Sequence, residues 1–324
     1  TSDPDTGFRQ INFETYASAS RQWHPRADRV GIIVARGAIT EGDQPPGTIG
    51  AESTSRLIRE AARDDRIKAV VLRIDSGGGS AFASEVIRSE LMALKEAGKP
   101  VVVSMSNVAA SGGYWIAMGA DEIWAYPTTL TGSIGIFGFF PTFQDTLAKI
   151  GIHTDGVGTT PLSGALRVDR ALQEPARDLL QSFIEHGYRN FIALVAEHRH
   201  MPVDQVDEVA QGRVWTGAQA QRRGLVDQLG TLDEAIASAA RSAGIAEDYE
   251  IQYVEGRLSP VEQFFVDMTS ASIRMAGADS VGGLAAWLPV DLGRQVLDEL
   301  RLVFTQAKSG RPGVMAHCLC EAPR

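Results

Sequence analysis

Two glycine-rich turns carry the residues of this 324-residue sequence whose types and spacing could do chemistry. The first turn reads DSGGGS at residues 75–80, directly after the apolar run AVVLRI, and a helical pattern follows it. Three consecutive glycines let the backbone adopt positive φ and approach a ligand closely. The helix behind them adds the positive end of its dipole. The turn therefore predicts backbone N–H groups that bind an oxyanion, although a plain tight connection between a strand and a helix explains the same residues.

The second turn, NVAASGGYW at residues 107–115, holds Ser111 among small residues at another strand-to-helix junction. A substrate carbonyl could reach the hydroxyl there, and the N–H that follows could point at the developing oxyanion. Ser111 is therefore a candidate nucleophile. The alternative is that its hydroxyl caps the following helix, as serines commonly do.

Together the two turns predict a serine beside an oxyanion hole, because neighbouring parallel strands would carry both turns to the same edge of a sheet. Such a serine needs a general base. Burial could lower the pKa of a lysine enough for that role, but Lys99 and Lys149 both have the pattern of solvated side chains. No histidine stands out among His24, His153, His186, His198 and His200, and His317 lies in the tail. The residues alone identify no base.

The elements that must position these turns alternate between strand and helix. Strands are predicted at residues 30–34, 69–74, 101–105, 122–125 and 249–254. Helices are predicted at residues 53–63, from a cap at Ser80 to about residue 97, and at 110–118, 173–200, 203–210, 217–223 and 232–243. The continuous Val and Ile runs suit parallel strands that are covered on both faces. The pattern predicts an α/β fold.

Composition and charge exclude several classes of function. The 31 basic and 40 acidic side chains give a net charge of −9 and a pI near 5.2, so nucleic acid is not an expected partner. No apolar run is long enough and free enough of charge to span a bilayer. Two cysteines, Cys318 and Cys320, make neither a disulfide framework nor a zinc site, and no cofactor or metal is expected. Because the sequence lacks both an initiator Met and a signal-peptide pattern, we expect a processed or excised piece of a longer protein.

Five segments, by their order and spacing, resemble peptidase family S49, the signal peptide peptidases of the A type. They read VVLRIDSGGGS at 70–80, AASGGYW at 109–115, LTGSIGIFG at 130–138, GRVWTG at 212–217 and GLVDQLG at 224–230. The resemblance covers residues 30–243 and implies an α/β fold of the ClpP/crotonase-like type, a spiral of β-β-α units. On this basis we expect a linker or helical segment at 1–29, the peptidase domain at 30–245, and a mostly helical extension at 246–324.

The resemblance also implies roles for individual residues. Ser111 would be the nucleophile, and the N–H groups of Gly112 and Gly78 would be the oxyanion donors. Ser133 matches the serine that hydrogen-bonds the base lysine and orients its amine, although a turn residue beside a glycine explains it as well. Gly77 stands where the family usually has a proline, which loosens the first turn but keeps the glycines that donate.

The base lysine is the main departure from the family pattern. In the short form of these enzymes it lies in the region that matches residues 156–167, which here reads GVGTTPLSGALR and has no lysine. In the long form two homologous halves share the catalytic pair, with the nucleophile in the C-terminal half and the lysine in the N-terminal half. The chain resembles that C-terminal half, and we expect it to be inactive alone.

What the resemblance implies for function is hydrolysis of released signal peptides at the membrane surface through an acyl-enzyme. The expected partners are apolar signal-peptide substrates, a lysine-bearing N-terminal half, and further copies in a tetramer-like, bowl-shaped homo-oligomer. The expected location is the periplasmic face of a bacterial inner membrane, with an upstream anchor. Two alternatives remain: a crotonase-like acyl-CoA enzyme, although the second turn lacks the acidic residues usual there, and a non-catalytic half that serves oligomerisation.

Overall fold

The computed structural model describes residues 28–45, 47–160 and 162–256, together with the backbone of residues 314–317. The strands are β1 (Arg29–Arg36), β2 (Ile39–Thr40), β3 (Ile49–Gly50), β4 (Ile67–Ser76), β5 (Gly78–Ser80), β6 (Val101–Ala110), β7 (Glu122–Ala125), β8 (Leu130–Gly132), β9 (Phe137–Gly138), β10 (Val214–Thr216), β11 (Gln228–Leu229), β12 (Glu250–Tyr253) and β13 (Val314–His317). The helices are α1 (Ala51–Arg63), α2 (Ala81–Glu96), α3 (Gly112–Ala117), α4 (Gln144–Lys149), α5 (Glu174–Arg199), α6 (Val203–Val209), α7 (Gly217–Gln221) and α8 (Leu232–Ser242).

A central sheet in the order β10-β8-β6-β4-β1-β12 forms the frame of the molecule, with β7 beside the first half of β6 and β11 beside β7. Its pairs are parallel except for β10 with β8. Because parallel strands are covered on both faces, their apolar runs are nearly continuous. In β4, Val70 and Leu72 belong to a core cluster that includes residues of α1, α2, α3 and α5, whereas Ala69 and Val71 belong to a second cluster with residues of α8 on the other face.

A second, smaller sheet runs in the order β3-β2-β5-β13-β9. It contains the first glycine-rich turn, because β5 is the GGS segment of that turn. Its strand β13 comes from the carboxyl-terminal tail and is antiparallel to both of its neighbours, β5 and β9. The small sheet therefore borders the carboxyl ends of the central strands, where the two candidate turns lie.

The predicted α/β class is confirmed, and the predicted strands and helices lie within a few residues of the observed ones. The helices expected in the extension at 246–324 lie outside the described residues, as do His24, Cys318 and Cys320. The described part of that extension forms two strands, of which β12 pairs with β1 in the central sheet.

Candidate functional site

Ser111 lies at the junction between β6 and α3, in a backbone conformation that is uncommon for a residue with a side chain. Its φ is 55° and its ψ is −114°, and the residue is 1% exposed. Its N–H donates to the Gly132 carbonyl at 2.8 Å, and its own carbonyl accepts from the Trp115 N–H at 2.9 Å. Non-glycine residues held at positive φ store strain of about 1–3 kcal/mol and cluster at active sites. The surrounding hydrogen bonds hold Ser111 in this strained position.

The alternative role for Ser111, as the cap of α3, is wrong. Its side chain makes no cap hydrogen bond. A capping serine has extended backbone angles that bring its hydroxyl back to the helix N–H groups, and the positive φ of Ser111 removes that geometry. Within the described part of the chain, the Ser111 Oγ has no hydrogen-bond partner at all. The hydroxyl is therefore left available for another role.

Helix α3, which follows Ser111, is anchored from two sides. The Tyr114 hydroxyl donates to the Leu225 carbonyl at 2.9 Å, and burial raises the pKa of that hydroxyl well above its ordinary value. The Trp115 Nε1 donates to the Glu85 carboxylate at 2.8 Å, and its ring centroid lies 4.3 Å from that of Phe191. These contacts tie the nucleophile turn to α2, to α5 and to the segment before β11.

Glu85 allows a pH-dependent test of this anchoring. Burial alone would raise its pKa, but hydrogen bonds from Arg88 and Trp115 outweigh burial and hold the pKa below its ordinary value. Such a carboxylate stabilises the fold above its unfolded pKa, and the contribution is lost as the pH falls through the folded pKa. We expect Glu85→Gln to lower the free energy of unfolding by about 1 kcal/mol at pH 7, a figure already reduced for partial exposure.

Urea unfolding at pH 7 and at a pH below the folded pKa of Glu85 measures this effect, because the contribution of the Glu85 carboxylate is lost as the pH falls through that pKa. The difference between wild type and Glu85→Gln should shrink toward zero at the lower pH. Glu90→Gln is the matched control, because Glu90 makes an ion pair with a half-exposed Arg59 and exposed pairs contribute little. A Glu85→Gln deficit that is the same at both pH values would contradict the assignment.

The first glycine-rich turn lies directly against α3. A Cβ at Gly113 would lie 2.6 Å from the Ser76 carbonyl oxygen, so α3 begins in backbone contact with the end of β4. The Ser76 Oγ donates to the Gly37 carbonyl at 2.7 Å and accepts from the Gly78 N–H at 3.1 Å. Gly78 has a φ of 106°. The two turns meet as expected, and an oxyanion that binds Gly78 would compete with the Ser76 hydroxyl for its N–H.

The Gly112 N–H is the second expected oxyanion donor. It belongs to the first residue of α3, and the first N–H groups of a helix have no partner inside it. No acceptor for it occurs in the part of the chain that the structure describes. Gly112 is buried beside Ser111, so this N–H is placed for a ligand at the nucleophile turn.

Ser133 lies in the same cavity as Ser111. The cavity has a volume of about 350 Å³ and is lined by Ser111, Ser133, Gly135, Ile136, Phe137, Tyr188, Gln211 and Gly212. Ser133 has a φ of 48°, and its N–H donates to the Arg213 carbonyl at 2.7 Å. The two serines come together because Ser111 hydrogen-bonds Gly132, the residue before Ser133. Among the described non-glycine residues four have positive φ, and three of these, Ser111, Ser133 and Gln211, line this cavity.

Two residues of the cavity, Tyr188 and Gln211, were not predicted from the sequence. The Tyr188 hydroxyl donates to the Asp207 carboxylate and accepts from the Gln211 N–H at 3.2 Å. Burial and the hydrogen bond to Asp207 raise the pKa of Tyr188 to about 12, so it stays neutral at physiological pH. Its helical spacing marks it as one more residue of α5, so the sequence carries no signal for its role.

No lysine or histidine is among the described residues that line the cavity. The Lys99 Nζ donates to the carbonyls of Ala61 and Asp64 at 2.8 Å each. Lys99 precedes β6, and the ten residues of that strand separate it from Ser111 by about 30 Å. Lys149 is exposed at the end of α4. His198 is hydrogen-bonded to Arg88, away from the cavity. The part of the site that the structure describes therefore has a nucleophile geometry without a base.

No helix among the described residues combines the length and hydropathy that crossing a bilayer requires. No group of three or more His, Cys, Asp or Glu side chains within the described ranges is arranged to hold a metal ion.

Comparison with known proteins places the chain in a family. Residues 93–246 match peptidase family S49. The chain is 43% identical over 270 residues to Protease 4 of Salmonella typhi, which covers 83% of this chain and 43% of that protein. It is 37% identical over 201 residues to the putative protease slr0021 of Synechocystis sp., which covers 61% of this chain and 72% of that protein.

Structural neighbours include a ClpP1 mutant from Listeria monocytogenes, with a TM-score of 0.42, 16% identity, and coverage of 63% of this chain and 94% of that chain. The chain spans less than half the length of the Protease 4 relatives. Four of the five motifs, at 109–115, 130–138, 212–217 and 224–230, lie within the residues that match the family, and this chain is a member of peptidase family S49.

Proposed function

We propose that the chain is the nucleophile-bearing part of a serine peptidase whose base lysine comes from outside the described residues. The observation that carries the proposal is the conformation of Ser111, which is strained, buried and without a partner for its hydroxyl among the described residues. Family membership supports a peptidase. The lack of a lysine or histidine in the described cavity lining supports a base from elsewhere.

In the proposed reaction the Ser111 Oγ attacks the carbonyl carbon of a peptide bond as its proton passes to the neutral lysine amine. The resulting oxyanion accepts hydrogen bonds from the Gly112 and Gly78 N–H groups, the latter released by the Ser76 hydroxyl. Collapse breaks the C–N bond, and the lysine returns the proton to the leaving amine. Water then attacks the acyl-enzyme by the same route, which frees the carboxylate and restores Ser111. Ser133 orients the lysine amine through its hydroxyl.

An apolar surface supports the existence of a partner. Ten of the fifteen exposed large hydrophobic residues in the described ranges fall between residues 139 and 183, directly after β9. Soluble monomers rarely expose a large contiguous apolar patch unless it binds something. We propose that a lysine-bearing half and further copies of the chain cover this segment in a bowl-shaped homo-oligomer.

The proposed substrates are apolar peptides, namely released signal peptides, and the proposed location is the periplasmic face of a bacterial inner membrane. Ile136, Phe137 and Tyr188 give the cavity beside Ser111 an apolar wall, which supports substrates with apolar side chains.

An assembly assay tests the proposal. The purified 324-residue chain should not hydrolyse a fluorogenic apolar peptide. Addition of the upstream, lysine-bearing half should produce turnover. Full turnover by the rigorously purified chain alone would contradict the need for an external base. Binding of acyl-CoA, with no turnover in either preparation, would favour the crotonase-like alternative.

A further inference from the structure

A strand from the carboxyl-terminal tail occupies a groove beside Ser111. In β13, Met315 lies opposite Ser80, Ala316 opposite Gly79 and His317 opposite Gly78, all on β5. On its other side, Val314 and Met315 of β13 lie opposite Gly138 and Phe137 of β9. We call the space between β5 (Gly78–Ser80) and β9 (Phe137–Gly138) the strand groove.

The strand groove belongs to the candidate active site. Its β5 wall begins with Gly78, one of the two expected oxyanion donors, and Phe137 of its β9 wall lines the cavity that holds Ser111 and Ser133. His317 is paired with Gly78 itself, so the tail in the groove extends as far as the oxyanion turn. An extended peptide that reached Ser111 along this path would need the same backbone groups.

Both walls of the groove are short and need an occupant. β5 is three residues long and pairs with β2 only through Gly79 and Ile39, while β9 is two residues long. Without β13, the backbone N–H and C=O groups that face the groove would lose their ladder partners. Backbone pairing of an added strand supplies affinity with little demand on sequence. The groove is therefore built to take an extended segment.

We propose that residues 314–317 act as an intramolecular pseudosubstrate, which fills the strand groove and keeps other peptides out until it is displaced. The proposal rests on the proposed function only in so far as the groove is where a peptide substrate would bind. A tethered segment acts at an effective concentration of millimolar order, so even a tail of weak intrinsic affinity lowers the apparent affinity of a competing peptide about tenfold.

A binding experiment on the full-length chain tests the pseudosubstrate. The probe is a fluorescein-labelled synthetic peptide of residues 312–319 with Cys318→Ser, and its binding is followed by fluorescence polarisation. Ala316→Pro removes a backbone N–H from the middle of β13, and proline is not tolerated inside a strand with neighbours on both sides. The probe should bind the Ala316→Pro chain about tenfold more tightly than it binds the wild type.

Ala322→Pro is the matched control, because it places the same substitution in the same tail outside β13, and it should behave as the wild type does. Amide hydrogen exchange at residues 78–80 and 137–138 should be faster in Ala316→Pro than in the wild type or in Ala322→Pro. Equal probe affinity for all three chains, or no binding to any of them, would overturn the proposal. If the wild-type chain stopped excluding the probe when the protein was diluted, the proposal would also be overturned, because the tail in the groove would then come from a second copy of the chain.

The readout is binding, so it separates this proposal from the peptidase proposal. Turnover in the two-half assembly together with equal probe binding would reject only the pseudosubstrate. Exclusion of the probe by the wild-type tail, with no turnover in the assembly, would reject only the peptidase.

Discussion

Ser111→Ala is expected to lower peptide hydrolysis by the two-half assembly about ten-thousand-fold or more, which is the usual loss when a serine nucleophile is removed. The hydroxyl is the attacking group, and its backbone is held at positive φ by the hydrogen bond from the Ser111 N–H to Gly132. Alanine keeps the buried methylene and removes only the oxygen, so the fold should be retained. The measurement is initial rate with a fluorogenic apolar peptide, alongside the unfolding midpoint of each variant.

Ser55→Ala is the matched control for this substitution. Ser55 lies on α1, is 2% exposed, and its hydroxyl has no hydrogen-bond partner within the described residues. Its removal should leave both activity and stability intact. Retention of activity in the Ser111→Ala assembly would favour the non-catalytic role of this chain. If the assembly lost peptidase activity with Ser133→Ala but not with Ser111→Ala, Ser133 and not Ser111 would be the nucleophile.

Gly113→Ala is expected to destabilise the chain by about 2 kcal/mol, although alanine is normally the better helix former. The new Cβ would lie 2.6 Å from the Ser76 carbonyl oxygen, and backbone cannot move aside as the end of a flexible side chain can. Relief requires α3 to separate from the turn that contains Gly78. Since that contact also holds the two expected oxyanion donors together, peptidase activity of the assembly should fall as well. Urea unfolding measures the first effect.

Gly187→Ala gives the opposite expectation for the same substitution in another helix. A Cβ at Gly187 would lie 3.5 Å from the Ile136 Cγ1, which is ordinary van der Waals contact. Gly187 lies inside α5, where replacing glycine with alanine stabilises by about 0.5–1 kcal/mol. If Gly113→Ala is as stable as wild type, α3 does not rest on the end of β4 as described.

Much of the fold could be predicted from the sequence because its strands and helices are specified by residues that are close together in the chain. The apolar runs at 69–74 and 101–105 are strands, and Ser80 caps its helix by accepting from the Ala83 N–H at 3.2 Å. The same rule of local capping was wrong for Ser111, since its capping geometry depends on a backbone angle that the contact with Gly132 imposes. The residue type at the start of a helix predicts a cap only where no distant segment changes the backbone angles of that residue.

The candidate site was predictable in part. The motifs around Ser111 and Ser133 place both serines after strands of one parallel sheet, and the cavity brings the two together. Tyr188 and Gln211 could not be found in this way. Tyr188 joins the site because α5 packs beside β9, and Gln211 joins it through a positive φ and a hydrogen bond to the Tyr188 hydroxyl. Such contacts depend on how helices and strands pack together, and no periodic pattern in the sequence indicates them.

The sequence by itself determined the α/β class, the family motifs and the lack of a lysine in residues 156–167. Only the tertiary structure decided that the Ser76 hydroxyl donates to the Gly37 carbonyl, and that residues 314–317 pair with β5 and β9. The physical reason is the sequence separation over which each kind of interaction acts. Periodicity, glycine content and residue type act over a few neighbouring residues, whereas the pairing of Met315 with Ser80 joins segments more than two hundred residues apart and depends on which backbone groups the rest of the fold leaves without partners.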